Sequence, residues 1–169
     1  MSEAARLAHD YASILNAMVR IAKARGLEDR GVDHGLACYQ ILEAAISDAA
    51  VWEVPLAEIG LEGFDTNDLL SARKKSGRQT ADDKPNDQRS QETADWRHYW
   101  SIIYNMVCVA KERGLKNPGS GYALACHQIL EAATSQAKAL KVPLADIELE
   151  GFDAGDPFGV RKISVHELA

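Results

Sequence analysis

One feature constrains this chain more than any other: residues 11–65 and 99–153 are two copies of one segment, displaced by 88 positions. Aligned without gaps, about 32 of 55 positions are identical, far beyond chance. Gly26 and Leu27 fall on Gly114 and Leu115, and Leu36, Ala37 and Cys38 on Leu124, Ala125 and Cys126. The run QILEAA at 40–45 recurs at 128–133, VPLA at 54–57 recurs at 142–145, and LEGFD at 61–65 recurs at 149–153. The register continues through Asp68 and Asp156 to Arg73-Lys74 and Arg161-Lys162. The VPLA and LEGFD signatures fit none of the helical solenoid patterns.

The repeat divides the chain into unit 1 at 1–74, unit 2 at 95–169 and a joining segment at 75–94. That segment reads KSGRQTADDKPNDQRSQETA, with Ala its only hydrophobic residue. Such a composition buries too little to offset the cost of ordering, so a flexible linker is expected there. It would span on the order of 25 Å on average.

Each unit reads as a helical hairpin. In copy 2, Trp96, Tyr99, Trp100, Ile103, Met106, Val107 and Ala110 recur at three- and four-residue spacing; in copy 1, Ala8, Tyr11, Ala12, Leu15, Met18, Val19 and Ala22 do the same. Gly26 and Gly114 are expected to end these helices, after basic residues in the last turn. The second helix is expected to start at the N-caps Asp33 and Ser120 and to stop before Pro55 and Pro143. PLAEI and PLADI read as one helical turn with Pro at its first position. Phe64 and Phe152 should lie over the hairpin end.

One hairpin is too small to cover its own apolar stripe. Two stacked about a pseudo-twofold axis cover it. The expected fold is therefore all-α, two tandem hairpins packed as a four-helix-bundle-like domain.

Candidate functional residues fall in two sets. Gln40, Glu43 and Ser47 recur as Gln128, Glu131 and Ser135, at spacings that place them on one stripe opposite the apolar face. They read as a partner-binding ridge presented twice, or as a solvated face preserved by a recent duplication. Trp96, Trp100 and Tyr104 stand where copy 1 has Ala8, Ala12 and Asn16. Aromatics of this kind anchor binding hot spots. The alternative is packing across the pseudo-twofold, which suits Trp96 and Trp100 better than Tyr104.

Other chemistry is thin. Cys38, Cys108 and Cys126 form no CxxC, and no His pair has ligand spacing. His127 follows Cys126, but adjacent helix positions do not face each other, so both Cys38 and Cys126 read as buried thiols rather than nucleophiles. The retained Glu62 and Glu150 turns match no EF-hand loop and suit turn capping. Arg73, Lys74, Lys75 and Arg78, with Arg161 and Lys162, form the one dense basic group. A net charge of -6 opposes nonspecific nucleic-acid binding.

No motif calls for a cofactor or a metal. The start of the chain lacks an apolar signal region and no run reaches membrane-spanning length, so a cytoplasmic setting is expected. The function expected from these residues is a non-catalytic protein-interaction or regulatory module: an adaptor, an immunity-type inhibitor or an accessory subunit. The protein is expected to be a monomeric pseudo-dimer, with further self-association open. The alternative is a small-molecule or nucleotide-handling bundle with a site between the repeats, lined by Gln40, Glu43, Gln128 and Glu131. A weaker alternative is nucleic-acid contact through the basic hinge. Charge also separates the copies: 11–65 carries four basic and nine acidic side chains, 99–153 five and six. A single partner should therefore meet the second copy more closely.

Overall fold

The structure is a computed structural model that describes residues 2–71 and 95–152. Among these residues the chain is all-helical: α1 (Glu3–Glu28), α2 (Asp33–Val51), α3 (Trp96–Lys116) and α4 (Gly121–Leu140), with short 3-10 turns at Thr66–Leu69 and Leu144–Ile147. The linker expected at 75–94 lies outside the described residues. So do the basic positions Arg73, Lys74, Lys75, Arg78, Arg161 and Lys162. Among the described residues no helix is long and apolar enough to cross a membrane.

The helices pack as an up-down-up-down bundle. Tyr11 near the start of α1 stacks on Trp96 at the start of α3, 5.8 Å between ring centres, so those helices share a direction. Gly121 at the start of α4 lies against His34 at the start of α2, so these two also share one. The closest partners are α1 with α4 and α2 with α3, which are equivalent under exchange of the repeats. The core repeats in the same way. Ile14, Leu15, Met18, Ile41 and Leu42 from copy 1 meet Ile102, Ile103, Met106, Ile129 and Leu130 from copy 2, all fully buried. Alanines at 37, 45, 49, 125, 133 and 137 line the seams, and their small size lets all six helix pairs touch.

The segment after the second helix is built twice alike. Glu53 and Lys141 take positive φ, and Val54 N–H and Val142 N–H return to Ala49 O and Ala137 O at 2.8 and 2.9 Å. That closure satisfies helix-end carbonyls and turns the buried valine inward. Lys23 Nζ then donates to Gly60 O at 2.9 Å, and Lys111 Nζ to Glu148 O at 2.8 Å. Phe64 and Phe152 pack, half-buried, against the core as expected.

Several boundaries differ from the sequence reading. Gly26 and Gly114 do not end their helices; both are buried inside them. A Cβ on Gly26 would come within 2.8 Å of Leu69 Cδ2 and 2.9 Å of Cys38 Cβ, so this glycine serves a close approach. In the hairpin turns it is Gly31 and Gly119 that take positive φ, and Gly60, Gly63 and Gly151 do so after the second helices. The N-cap of α2 is Val32, without a capping side chain, and Asp33 lies in the first turn, where its charge suits the helix dipole. Ser120 does cap α4, its Oγ accepting from Ala123 N–H at 3.2 Å. Pro143 precedes its 3-10 turn rather than opening it, and PLAEI is a run of turns.

Candidate functional site

The aromatic set divides by depth. Trp96 is half-buried on Tyr11. Trp100 is half-buried, and its indole N–H donates to Asp146 O at 2.5 Å. In copy 1 the equivalent carbonyl, Glu58 O, accepts instead from Asn16 Nδ2 at 3.2 Å. Two different residues, one turn apart, thus pin the same loop position. Tyr104, which replaces Asn16, is released from that task and is 40% exposed. Its ring rests on Trp100, 5.4 Å between centres, and a hydrogen bond with Cys108 raises its phenol above the ordinary value.

Tyr104 belongs to a longer stripe on α3. Trp100, Tyr104, Cys108 and Lys111 lead to Leu115, which is 59% exposed. Eleven residues of helix separate Tyr104 from Leu115 on nearly the same face, roughly 16 Å. Copy 1 has Ala12, Asn16, Arg20, Lys23 and Leu27 at these positions. The two outer faces of α1 and α3 therefore differ in character, although their inner faces match.

The polar set does not converge. Tyr122 donates its O–H to Gln40 Oε1 across the repeats. Thr66 Oγ1 donates to Glu43 Oε1 at 2.5 Å, so the folded-back turn of copy 1 takes up Glu43. Gln128 is half-buried with its Oε1 shut from solvent. Ser47, Glu131 and Ser135 are exposed. Gln40 and Gln128 thus sit at the edge of the core rather than opposite it, because α2 and α4 are covered on more than one side. The leucines beside this stripe, Leu36 and Leu124, are both exposed.

Three contacts escaped the sequence reading. Tyr99 Oη donates to Glu58 Oε2 at 2.6 Å, and burial followed by that bond pushes its phenol up. Tyr11, its counterpart, is pushed up by burial and then by Asp146. Trp52 stacks on His98 at 5.0 Å and donates Nε1–H to Ser101 Oγ at 3.1 Å. The signal for the first was present, since Tyr11 and Tyr99 are identical in both copies.

Both Cys38 and Cys126 are fully buried. Burial pushes each thiol up to about 12, with Asp29 adding for Cys38 and the Cys38 thiol adding for Cys126. Thiols held protonated are poor nucleophiles. Asp65 caps its own turn, accepting from Asn67 N–H at 3.0 Å, while Glu62 and Glu150 are exposed. Among the described residues no three His, Cys, Asp or Glu side chains form a metal-holding group.

No family model, no curated protein and no solved structure matches this chain.

Proposed function

We propose that this protein is a non-catalytic interaction or regulatory module whose partner protein docks on the outer face of α3. The observation that carries this reading is Tyr104: an exposed phenol, backed by a fixed Trp100 and continued by exposed Leu115. Exposed aromatics held on a rigid helix lose little entropy on binding, which favours them as anchors. The inner residues supply the rigidity, and the polar face of copy 1 at the same positions supplies the contrast. Leu124, Glu131 and Ser135 on α4 extend the exposed surface of the second copy. The alternative is a ligand site between the repeats; of its four residues, Gln40 is taken up by Tyr122 and Glu43 by Thr66, and Glu131 faces solvent.

The test is affinity capture from the native cell with the full chain, alongside Tyr104→Ala and Gln128→Ala/Glu131→Ala. A specific partner retained by the parent and lost with Tyr104→Ala supports the α3 face. Capture that is unchanged by Tyr104→Ala removes it.

A further inference from the structure

The two copies share one backbone at the ends of α2 and α4 and reverse its charge. Asp48, Ala50 and Glu53 stand where copy 2 has Gln136, Lys138 and Lys141. Positions 48–53 thus carry two carboxylates and no amine, and positions 136–141 two amines and no carboxylate. Glu53 and Lys141 hold the same left-handed backbone, φ 54° and 59°. The valine after each returns to its helix through the same hydrogen bond, Val54 to Ala49 O and Val142 to Ala137 O. The turn therefore forms with either charge, so the reversal is not a requirement of the fold.

Both helix ends lie at one end of the bundle. The starts of α2 and α4 meet at His34 and Gly121, so the two helices run parallel. Trp52 holds the end of α2 against His98 in the first turn of α3, and Trp100 nearby reaches Asp146 just past the end of α4. The pseudo-twofold axis runs along the bundle between them. Glu53, Lys138 and Lys141 are exposed, and among the described residues none of the three has an ion-pair partner.

Apolar surface accompanies the charge. Val51 is 71% exposed and Trp52 42%. The indole is fixed by its stack on His98 and its bond to Ser101. Leu140, in the place of Trp52, is half-buried. A rigid exposed indole loses little entropy on contact, which favours it as an anchor.

We infer that two copies of this chain associate end to end through this face as a twofold dimer, the α2 end of each meeting the α4 end of the other. A twofold axis lying across the bundle end can take two orientations. One sets Glu53 against the Lys138 and Lys141 of the other copy, and symmetry makes that contact twice. The other, at right angles, sets like charges together and is opposed. The end of a four-helix bundle is a small face, so the dimer is weak, concentration-dependent and salt-sensitive. This surface goes beyond the outer face of α3, which runs along the side of the bundle and stays open in the dimer.

The test is sedimentation equilibrium of the full chain, with Glu53→Lys, Lys141→Glu and the two substitutions combined. Each single substitution brings like charges together twice and should weaken the dimer about tenfold or more. The combined substitution exchanges the two charges and should return the dissociation constant to within about threefold of the parent. All three positions are on the surface, and melting curves check that each variant folds. A dimer indifferent to both single substitutions, or one that the combined substitution fails to restore, overturns the inference. So does a parent that stays monomeric up to about 1 mM, and its retention on phosphatidylcholine vesicles would then give the Trp52 face to a membrane.

Discussion

Tyr99 in α3 donates its phenolic O–H to Glu58 at 2.6 Å, tying the first helix of copy 2 to the third turn of copy 1. Its counterpart Tyr11 faces Asp146 in the opposite sense, from copy 1 to copy 2. Tyr99 thus ties copy 2 to copy 1 by a hydrogen bond, while Tyr11 lies in the field of the Asp146 carboxylate of copy 2. Tyr99→Phe should cost about 0.5–1.5 kcal/mol, toward the lower end because Glu58 is exposed and rehydrates. Urea unfolding should show a lower midpoint with an unchanged slope. An unchanged midpoint would mean the bond contributes nothing.

Alkaline pH should weaken the fold. Burial raises Cys38 and Cys126 from 9.0 to about 12, and Tyr122 from 10.0 to about 12. Between the ordinary and folded values, the folded chain holds more protons than the unfolded one, so stability falls as pH rises. The contribution is complete below about pH 9 and is lost progressively toward pH 12. Each group adds a slope of about 1.4 kcal/mol per pH unit inside its window. Cys38→Ala should flatten the slope by one group's share, whatever its effect on absolute stability. Chemical denaturation at pH 8, 9, 10 and 11 measures this directly, and a flat profile across that range contradicts it.

Gly26→Ala sets two effects against each other. Helix propensity favours alanine by about 1 kcal/mol. Against that, the new methyl meets Leu69 Cδ2 at 2.8 Å and Cys38 Cβ at 2.9 Å. Leu69 can rotate, but Cys38 Cβ is fixed to α2, so the helices must separate. Overpacking of this kind costs about 1–3 kcal/mol, and a net loss of stability is expected. A thermal midpoint above the parent's would show that α1 and α2 part at little cost.

Gly35→Ala should act locally. Its Cβ would lie 2.6 Å from Leu69 O and 2.8 Å from Asp29 O, both backbone atoms. The turn Thr66–Leu69 should lift away and break the 3.0 Å bond from Gly31 N–H to Leu69 O. Hydrogen exchange at Gly31 should accelerate while amides in the middle of α3 and α4 keep their protection. Uniform acceleration across all four helices would instead indicate global destabilisation.

Trp100→Ala and Tyr104→Ala should separate packing from surface. Trp100 is half-buried and holds Asp146 O, so its loss should cost roughly 1–3 kcal/mol, below the full core value for such a truncation. Tyr104 is exposed, and its loss should stay within about 0.5 kcal/mol. Melting curves of the two variants decide the matter. Equal losses would place Tyr104 among the structural residues and weaken its reading as a docking anchor.

Much of the fold was legible because helical periodicity reports burial one element at a time. The stripe through Tyr99, Ile103, Met106 and Ala110 is buried as read. Ser120 caps α4 because its signal lies within three residues of its target. The reading failed where the deciding neighbour is remote in sequence. Gly26 looked like a helix end, yet it is held by Leu69, 43 positions away. Glu43 looked like a surface carboxylate, yet Thr66 reaches it. Trp96 and Trp100 were ambiguous from sequence alone; Trp96 stacks on Tyr11 of the other copy, whereas Trp100 bonds Asp146 of its own.

The sequence by itself determined that this chain holds one hairpin twice and that each hairpin needs an apolar partner. Identical buried positions in both copies then make a pseudo-twofold bundle the natural solution, since each stripe complements the other. Only the tertiary structure decided how the symmetry is broken. Tyr122 bonds Gln40 across the repeats where copy 1 has His34 in the matching place, and Trp100 takes the loop carbonyl that Asn16 takes in copy 1, leaving Tyr104 exposed. Those differences depend on the lengths of side chains that meet within each copy and between the copies. Periodicity says which side of a helix is buried, but not what stands opposite.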